Sequence, residues 1–456
     1  MKKNTTLICL LVLTISFAAS AQYSVLYNLS DTSGIHPQGD LLLSGSTLYG
    51  MTYDGGVNNS GVIFSIQTDG TGYTHILDFN GTNGQYPFGS LILSGSTLYG
   101  MTRNGGANNS GNIFSIQTNG MSYSDLMDFS TGIYPYGSLI LSGSTLYGMA
   151  LYGGGGGNGN VFSIQTNGTG YTNLHGFNGT NGLFPYGSLI LSGSTLYGLT
   201  EAGGANNLGV IFSIHTNGTG YTDLHDFNGT NGSSPHGSLI LSGGNLYGMT
   251  VQGGDSSYGV IFSVDTNGTG YHDLLDFNGT NGYQPYGSLL LSGSTLFGMT
   301  TGGGVNYSGN IFSIQTNGTS FDDFLDFNST NGDSPYGSLI FSGSTIYGMT
   351  NLGGSNNGGV IFKYDNFATT INEITLKDNG VYVFPNPAND ILNIHQTACS
   401  LNETLLITDL LGNEVYKEML TGIDNSISLQ ELKSGVYFYQ IKNDKETVRG
   451  KFVVEK

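Results

Sequence analysis

A segment of the form Gly-Ser-Leu-Ile-Leu-Ser-Gly-Ser-Thr-Leu-Tyr-Gly-Met occurs, with small changes, seven times in this chain of 456 residues. The aromatic-Gly step near its end recurs at intervals of 50, 48, 50, 50, 50 and 50 residues. Its aromatic residues are Tyr49, Tyr99, Tyr147, Tyr197, Tyr247, Phe297 and Tyr347. A fixed period in this range is typical of a solenoid, a propeller or an array. The period therefore constrains the fold more than any local signal does.

Each repeat contains four short segments with the composition of β-strands. In the copy that begins at Tyr221 they cover residues 221–227, 238–242, 245–250 and 260–265. β-branched and aromatic residues fill these segments, and Gly and Asn, which accept positive φ angles, fill the turns. No segment shows a hydrophobic period of 3.6 residues, so we expect no helix in the repeats. Four strands per repeat are typical of one propeller blade.

The first strand of the mature chain is expected to complete the last blade. The last repeat stops after its third strand, at Tyr364, whereas the segment Tyr23–Leu29 has the composition of the missing strand. We therefore predict an all-β fold with a seven-bladed β-propeller over residues 22–365, closed by pairing of Tyr23–Leu29 with Val360–Tyr364. A β-solenoid is the alternative, but it would give the N-terminal segment no role.

The N-terminus has the pattern of a secretory signal peptide over residues 1–21. Lys2 and Lys3 precede the apolar run Leu7–Phe17, and Ala19-Ser20-Ala21 supplies the small residues of a cleavage site after Ala21. The run is too short to stay as a membrane anchor, so we expect no transmembrane segment in the mature chain. Cleavage leaves Cys399 as the only cysteine, so no internal disulfide is expected.

The charge distribution argues against a nucleic-acid partner. The net charge is −19, and between Asn4 and Phe362 the only Lys or Arg is Arg103, against 18 Asp and Glu residues in the same span. Nucleic-acid binding needs clustered cations that displace counterions from phosphates. We therefore expect no nucleic-acid partner, and the same sign of charge disfavours an anionic membrane surface.

The residues of the repeat resemble those of the tandem-repeat family called GloVer. The shared elements are an apolar strand with Leu-Tyr-Gly-Met-Thr, a Gly-Gly loop, Gly-x-Ile-Phe-Ser-Ile, and a strand that ends in Asp-Phe-Asn-Gly. They recur in every repeat, over about residues 23–364. The resemblance implies no known activity for any particular residue.

The composition changes after Asn366. We expect a linker over residues 366–380 and a small Ig-like antiparallel β-sandwich over residues 381–456, because short strands alternate there with Gly turns. Its Pro-Asn-Pro, Asp-x-x-Gly and Ser-Gly-Val-Tyr elements are similar to those of the type A C-terminal sorting domain of type IX secretion. That resemblance implies the type IX machinery as a partner. It also implies an extracellular or outer-surface location on a Gram-negative bacterium.

No residue pattern in the repeats indicates catalysis, a metal centre or a cofactor. The eight His residues form no His-x-His or His-Glu-x-x-His pattern, and Gly-x-Ser-x-Gly is absent. One Arg across seven blades cannot form the cationic cluster that propeller sialidases and lyases use. We therefore expect no enzymatic activity and no cofactor. A secreted carbohydrate-active hydrolase or lyase that uses the propeller face is the alternative.

Five Asp residues recur at one phase of the repeat and have two interpretations. They could hold calcium together with carbonyl groups of the following Asn-Gly-Thr-Asn-Gly loop, or they could cap that turn by accepting backbone N–H groups. No contiguous Asp-x-Asp-x-Asp run supplies the oxygens that calcium needs, which favours the cap. The five residues are Asp78, Asp128, Asp226, Asp276 and Asp326.

Two loops of each blade are expected to open on one face of the propeller. The loop that enters the innermost strand carries a Pro-aromatic-Gly step, and the loop between the second and third strands carries Gly-Gly-x-Asn-Asn. The candidate ligand-binding residues of the first loop are Phe88, Tyr136, Tyr186, His236, Tyr286 and Tyr336, with Gln38 in the first blade. Flat rings bordered by amides suit sugars. The alternative is that the rings wedge between adjacent blades.

From these patterns we expect a secreted or cell-surface module for binding or adhesion. Its partner would be an extracellular glycan or a surface protein. The sequence does not identify that ligand.

Overall fold

The computed structural model describes residues 22–365 and, in the C-terminal part, residues 381–384, 391–396, 404–409, 413–420, 422, 424–433, 435–442 and 447–454. The chain divides into two compact units, Met1–Thr369 and Thr370–Lys456. The expected signal peptide, its cleavage site at Ala21 and the expected linker over residues 366–380 lie outside the described residues.

The N-terminal unit, which contains all the repeats, consists of seven four-stranded antiparallel sheets. Its described residues contain no helix. The first sheet contains, in spatial order, β2 (Leu42–Ser44), β3 (Thr47–Thr52), β4 (Val62–Gln67) and β5 (Thr74–Asp78). The second and third are β6 (Ile92–Ser94), β7 (Thr97–Thr102), β8 (Asn112–Gln117), β9 (Ser124–Asp128), and β10 (Ile140–Ser142), β11 (Thr145–Ala150), β12 (Asn160–Gln165), β13 (Thr172–Gly176).

The fourth to sixth sheets repeat this order. They are β14 (Ile190–Ser192), β15 (Thr195–Thr200), β16 (Val210–His215), β17 (Thr222–Asp226); β18 (Ile240–Ser242), β19 (Asn245–Thr250), β20 (Val260–Asp265), β21 (His272–Asp276); and β22 (Leu290–Ser292), β23 (Thr295–Thr300), β24 (Asn310–Gln315), β25 (Asp322–Asp326). Each sheet is one blade of a propeller, as the period predicted. The innermost strands are shorter than the sequence indicated: β18 begins at Ile240, not at Ser238.

The seventh blade takes its outer strand from the start of the chain. It contains β26 (Ile340–Ser342), β27 (Thr345–Thr350), β28 (Val360–Asp365) and then β1 (Gln22–Asn28). β1 lies antiparallel to β28, with Val25 opposite Phe362 and Asn28 opposite Val360. The pairing expected between the first strand and the last repeat is therefore present, and residues more than 330 positions apart share one sheet.

The Gly of each Leu-Tyr-Gly step makes room for a buried phenylalanine on the neighbouring strand. Gly50 lies opposite Phe64, and a Cβ atom added to Gly50 would lie 2.5 Å from the Phe64 ring. The same pairing joins Gly198 and Phe212 in the fourth blade. The ring covers the bare backbone, so the step needs Gly for space and not for a positive φ angle.

The hydrophobic core lies between adjacent blades. Tyr147, Met149 and Val161 of the third blade pack in one cluster with Leu196 and Phe212 of the fourth. Equivalent clusters occur at the other blade interfaces, and one of them joins the seventh blade to the first through Tyr347, Met349, Leu48 and Phe64. Burial on both faces explains why the middle strands are continuously apolar rather than alternating.

Two cycles of contacts surround the axis. A Cβ atom added to Gly137 would lie 2.1 Å from the Gly187 carbonyl oxygen, and equivalent contacts of 2.1–2.4 Å occur around all seven blades. Next to this glycine ring, the backbone N–H of Ser138 donates to the Ser188 hydroxyl at 2.7 Å. The hydrogen-bond series returns to the first blade, where the Ser338 N–H donates to the Asp40 carboxylate at 2.6 Å.

In five blades a partly buried tyrosine joins the outer strand to the preceding inter-blade loop. The Tyr221 hydroxyl donates to the Asn181 carbonyl, and the Tyr271 hydroxyl to the Asn231 carbonyl, both at 2.6 Å. Burial raises the pKa of Tyr221 and of Tyr271 far above the ordinary value. The equivalent residue of the sixth blade is Phe321, which stacks on Phe312 but has no hydroxyl.

The C-terminal unit contains two antiparallel sheets. One consists of β29 (Val381–Phe384), β30 (Ile391–Gln396) and β33 (Asp424–Ser428); the other of β32 (Glu414–Met419), β31 (Thr404–Thr408), β34 (Gly435–Lys442) and β35 (Thr447–Val454). Side chains of both sheets, including Leu392, Ile427, Leu405 and Phe452, form one buried cluster. This unit is therefore a small β-sandwich, as expected.

Candidate binding site at the channel mouth

One cavity is lined by all seven blades at the entrance to the axis. We call this entrance the mouth. Its residues are Gln38, Phe88, Tyr136, Tyr186, His236, Tyr286 and Tyr336. Its volume of about 70 Å³ is far below the 300–1,000 Å³ typical of small-molecule pockets. A sugar-sized ligand would therefore lie over the mouth rather than inside it.

The six predicted ring residues do lie together, and each contacts the next. The centroid distances are 4.8 Å for Phe88–Tyr136 and Tyr136–Tyr186, 4.3 Å for Tyr186–His236, 4.9 Å for His236–Tyr286 and 4.7 Å for Tyr286–Tyr336. Most pairs are tilted or edge-to-face, which is favourable for aromatic rings. Each ring thus packs against the neighbouring blade, as the wedge alternative predicted. Ligand binding by these rings stays a prediction.

Three tyrosine hydroxyls of the mouth have no hydrogen-bond partner among the described residues. They belong to Tyr186, Tyr286 and Tyr336, which are all partly exposed. Burial of the rings raises the pKa of each phenol, so these groups are neutral donors and acceptors at physiological pH. The mouth therefore offers hydroxyl groups and ring edges to a ligand.

A second series of residues surrounds the mouth, at the position just before the Pro of each entering loop. In blades one to four these residues are His36, Tyr86, Tyr134 and Phe184, and in blades five to seven they are Ser234, Gln284 and Ser334. Six of these seven residues have a positive φ angle of 51–56°, and the exception is Tyr134 in the shorter third loop. For example, φ is 56° at Phe184 and 51° at Ser234. The difference between the two sides of the mouth therefore lies in the side chains.

Aromatic contacts extend this difference. Tyr53 stacks on Tyr86 at 4.9 Å, and Tyr152 lies 6.0 Å from Tyr134 and 5.3 Å from Phe184. We call these five residues the aromatic half of the mouth. Tyr152 is 37 % exposed. On the opposite side, apart from the mouth rings themselves, Tyr258 contacts Tyr283.

Arg103 lies within the aromatic half. Its Nη1 donates to the Tyr53 hydroxyl at 2.9 Å, and its Cζ is 4.9 Å from the centre of the Tyr136 ring. Its backbone N–H donates to the Tyr86 carbonyl at 3.1 Å, which fixes the strand end that carries it. The side chain thus spans from the first blade to the third. Among the described residues, no carboxylate lies within ion-pair distance of it.

Two carboxylates of the rim pair with histidines, whereas Asp40, which lines the cavity, accepts the Ser338 N–H. Oδ1 of Asp54 lies 2.8 Å from Nδ1 of His36, and Oε1 of Glu201 lies 3.4 Å from Nε2 of His236. Each of these pairs is partly buried. The rim therefore has two acid–histidine pairs and one guanidinium with no such partner.

The recurrent Asp residues are caps, but of a different loop from the one expected. The Asp226 carboxylate accepts the backbone N–H of Ala205 at 2.7 Å, in the Gly-Gly loop of its own blade. The turn that follows Asp226 is instead capped by Asn228, which accepts from the Asn231 N–H. Asn28 performs the same role toward Ser355 in the seventh blade. No group of three or more potential metal ligands occurs among the described residues.

Acid pairs on the outer strands are remote from the mouth. Burial, and then the Asp226 charge, raises the pKa of Asp223 to about 6. Asp273 beside Asp276 behaves in the same way. In the sixth blade Asn310 donates to the equivalent Asp323 at 2.7 Å. One member of each pair caps the Gly-Gly loop, so the pair has a structural role.

Sequence reasoning identified the mouth rings but not the aromatic half or Arg103. The signal that could have found them is the comparison of equivalent positions within the chain. Near-identical repeats differ at the residue before Pro and at the residue after the Met-Thr or Leu-Thr step, which is Tyr53, Arg103 and Glu201 in blades one, two and four. The fold places these variable positions around one opening.

The sequence matches the model of the Gloeobacter/Verrucomicrobia repeat over residues 12–209, 127–269 and 207–382. The chain therefore belongs to this repeat family. Residues 382–455 match the secretion system C-terminal sorting domain. This match indicates export to the cell surface or the extracellular space. No protein with a curated description matches the sequence. No helix of the described residues is both long and apolar enough to cross a membrane.

Several solved structures share the fold at low identity. An oligogalacturonate lyase in complex with manganese superposes with a TM-score of 0.52 at 12 % identity, covering 76 % of this chain and 93 % of that one. The extracellular domain of a hybrid two-component system from B. thetaiotaomicron has a TM-score of 0.52 at 12 % identity, covering 96 % and 60 %. Both are β-propeller proteins, and at such identity the likeness concerns the fold alone.

Proposed function

We propose that this exported propeller is a binding module that takes an extracellular glycan across the mouth and catalyses no reaction on it. The observation that carries the proposal is the aromatic half: at the position before the Pro of the entering loop, blades two to four have three aromatic residues where blades five to seven have Ser, Gln and Ser. Packing between blades does not require these rings, because Ser234 and Ser334 occupy equivalent positions in the same fold.

The chemistry of the rim suits a saccharide. Aromatic rings offer apolar surface to the C–H groups of a sugar, and the free phenol hydroxyls and nearby amides exchange hydrogen bonds with its hydroxyls. The shallow cavity favours a ligand that lies across the face. Asp54 and Glu201 pair with histidines and Asp40 accepts the Ser338 N–H, so each of these acids already has a partner, which supports a role in binding rather than in hydrolysis.

The test begins with a glycan-array screen of the mature chain. The best ligand is then titrated against the double variant Tyr86→Ser/Phe184→Ser, which gives the aromatic half the residues of Ser234 and Ser334. We expect affinity to fall by roughly 10-fold or more, with little change in Tm, because each lost ring contact contributes about 1 kcal/mol.

Met121→Thr is the matched control. Met121 is an exposed apolar residue in a hairpin remote from the mouth, and Thr occupies its equivalent position in five other repeats. This control should bind as the wild type does. Unchanged affinity in the double variant, or no glycan bound by the wild type at all, would contradict the proposal.

A further inference from the structure

Arg103 is the only Lys or Arg of the propeller before Lys363, in a span that contains 18 carboxylates. Lys363 pairs with Asp365 at 2.6 Å, whereas Arg103 has no carboxylate within ion-pair distance among the described residues. A partly buried cation with no counter-charge is unfavourable, because its lost hydration is not compensated. The lack of a carboxylate partner for Arg103 is therefore unusual in so acidic a protein.

The surroundings of Arg103 hold the guanidinium in place without neutralising it. Tyr53 accepts one hydrogen bond from Nη1, and the Tyr136 ring lies beneath Cζ. Nε is buried and has no acceptor among the described residues. A guanidinium has five N–H donors in a planar fork that matches a carboxylate. Much of that capacity is unused at the centre of the aromatic half.

We propose that the ligand of the mouth carries a carboxylate that binds Arg103, so that acidic glycans, those containing uronic acid residues, are the ligand class. This inference rests on the proposed binding function. A uronic acid has two groups that fit this site. Its pyranose ring can pack on Tyr53, Tyr86 and Tyr152, and its carboxylate can bind the guanidinium.

The net charge of the protein restricts this class further. A densely charged acidic polymer would be repelled by a chain of net charge −19. A glycan with isolated carboxylates, separated by neutral sugar surface, places one charge at Arg103 and keeps the others apart. This favours a saccharide over a run of acidic residues in a peptide.

The experiment compares oligosaccharides of glucuronic, galacturonic and mannuronic acid with the same oligosaccharides after methyl esterification of the carboxyl groups. With the wild-type mature chain, at least one acid form should bind about 10-fold or more tightly than its ester, since hydrogen bonds to charged groups contribute about 1.5–3 kcal/mol. That preference should weaken as ionic strength rises.

Arg103→Gln should remove the preference, leaving acid and ester forms with similar affinity, and Arg103→Lys should retain part of it. Lys363→Gln makes the same change of charge away from the mouth and should bind as the wild type does. The comparison of acid and ester on the wild type needs no variant, so it holds even where Arg103→Gln folds poorly.

Three results would overturn the inference. Equal binding of acid and ester forms, with both lost in Tyr86→Ser/Phe184→Ser, would refute the carboxylate site and leave the proposed function intact. Absence of binding to every glycan would refute both. Binding of an acidic peptide in place of any uronic acid oligosaccharide would refute the choice of glycan.

Discussion

At the residue scale, the axis of the propeller depends on glycines that have no space for a side chain. The glycine ring is formed by Gly39, Gly89, Gly137, Gly187, Gly237, Gly287 and Gly337, each directed at the carbonyl of the next. These contacts are between backbone atoms, which cannot move aside as a flexible side chain can. The tolerance for any added atom is therefore small.

Gly137→Ala tests this packing. The added Cβ atom would lie 2.1 Å from the Gly187 oxygen, so the free energy of unfolding should fall by roughly 3 kcal/mol or more. Gly143→Ala is the control, because φ is 59° there but no atom lies within 4 Å. It should cost only about 1–2 kcal/mol through backbone strain. Equal decreases in the free energy of unfolding of the two variants, measured with urea, would contradict a cost specific to the axial contact.

The buried tyrosines predict a loss of stability in alkaline solution. Burial raises the pKa of Tyr221 in the folded state above the unfolded value of about 10. Its contribution is therefore fully present below about pH 10 and is lost as pH rises beyond it, because unfolding then releases a proton.

Tyr221→Phe copies Phe321 of the sixth blade. At neutral pH it should cost about 1–3 kcal/mol, since the Asn181 carbonyl loses its donor. Above about pH 10 its free energy of unfolding should fall less steeply than that of the wild type. Urea unfolding across this range measures both effects, and parallel curves would contradict the assignment.

The sequence predicted which residues recur but not always what they contact. Asp226 was expected to cap the turn that follows it. The register of β17 on β16 instead places it beside the Gly-Gly loop, 21 residues earlier in the chain. The sequence showed that Arg103 is the only Lys or Arg of the propeller before Lys363 but not what it contacts. Its contacts with Tyr53 and Tyr136 bring together residues of three different blades.

At the element scale, β1 carries the pairing that completes the seventh blade. Deleting residues 22–28 would expose the edge of β28 and remove the Asn28 cap from Ser355. We expect a large decrease in Tm, and self-association through the open strand edge. A truncated protein that melts with the intact chain would refute this role of β1.

A peptide covering residues 22–30 provides the matched control. Added to the truncated protein, it should restore Tm, because it can pair with β28 as the covalent strand does. A peptide of the same composition in scrambled order should not. This pair of peptides separates strand pairing from a general effect of shortening the chain.

The strands were predictable because their pattern repeats, and each error concerns a boundary or a partner. The sequence placed four strands in each repeat and identified the first segment as the missing one. It overestimated the innermost strand at Ser238, since the chain there still follows the glycine ring before it pairs with β19. Side-chain composition does not report where that pairing begins.

At the scale of the whole molecule, the chain combines a C-terminal sorting domain with a propeller for which we propose a binding role. Deleting residues 381–456 should leave the protein in the periplasm, because the sorting domain lies in that segment. Immunoblots of cell fractions and medium measure the effect. A reporter fused to residues 366–456 and to the N-terminal segment should be exported. Normal amounts of the truncated protein outside the cell would contradict this division of roles.

The glycine ring also has a consequence for the history of the gene. Near-identical repeats promote unequal recombination, which adds or removes a whole blade and leaves the sequence of every remaining strand intact. Such a product would still have β1 available for the last repeat. It would, however, change the angle between successive blades, and with it the separation of neighbouring glycines at the axis. The close glycine contacts at the centre of the molecule are therefore fitted to seven blades.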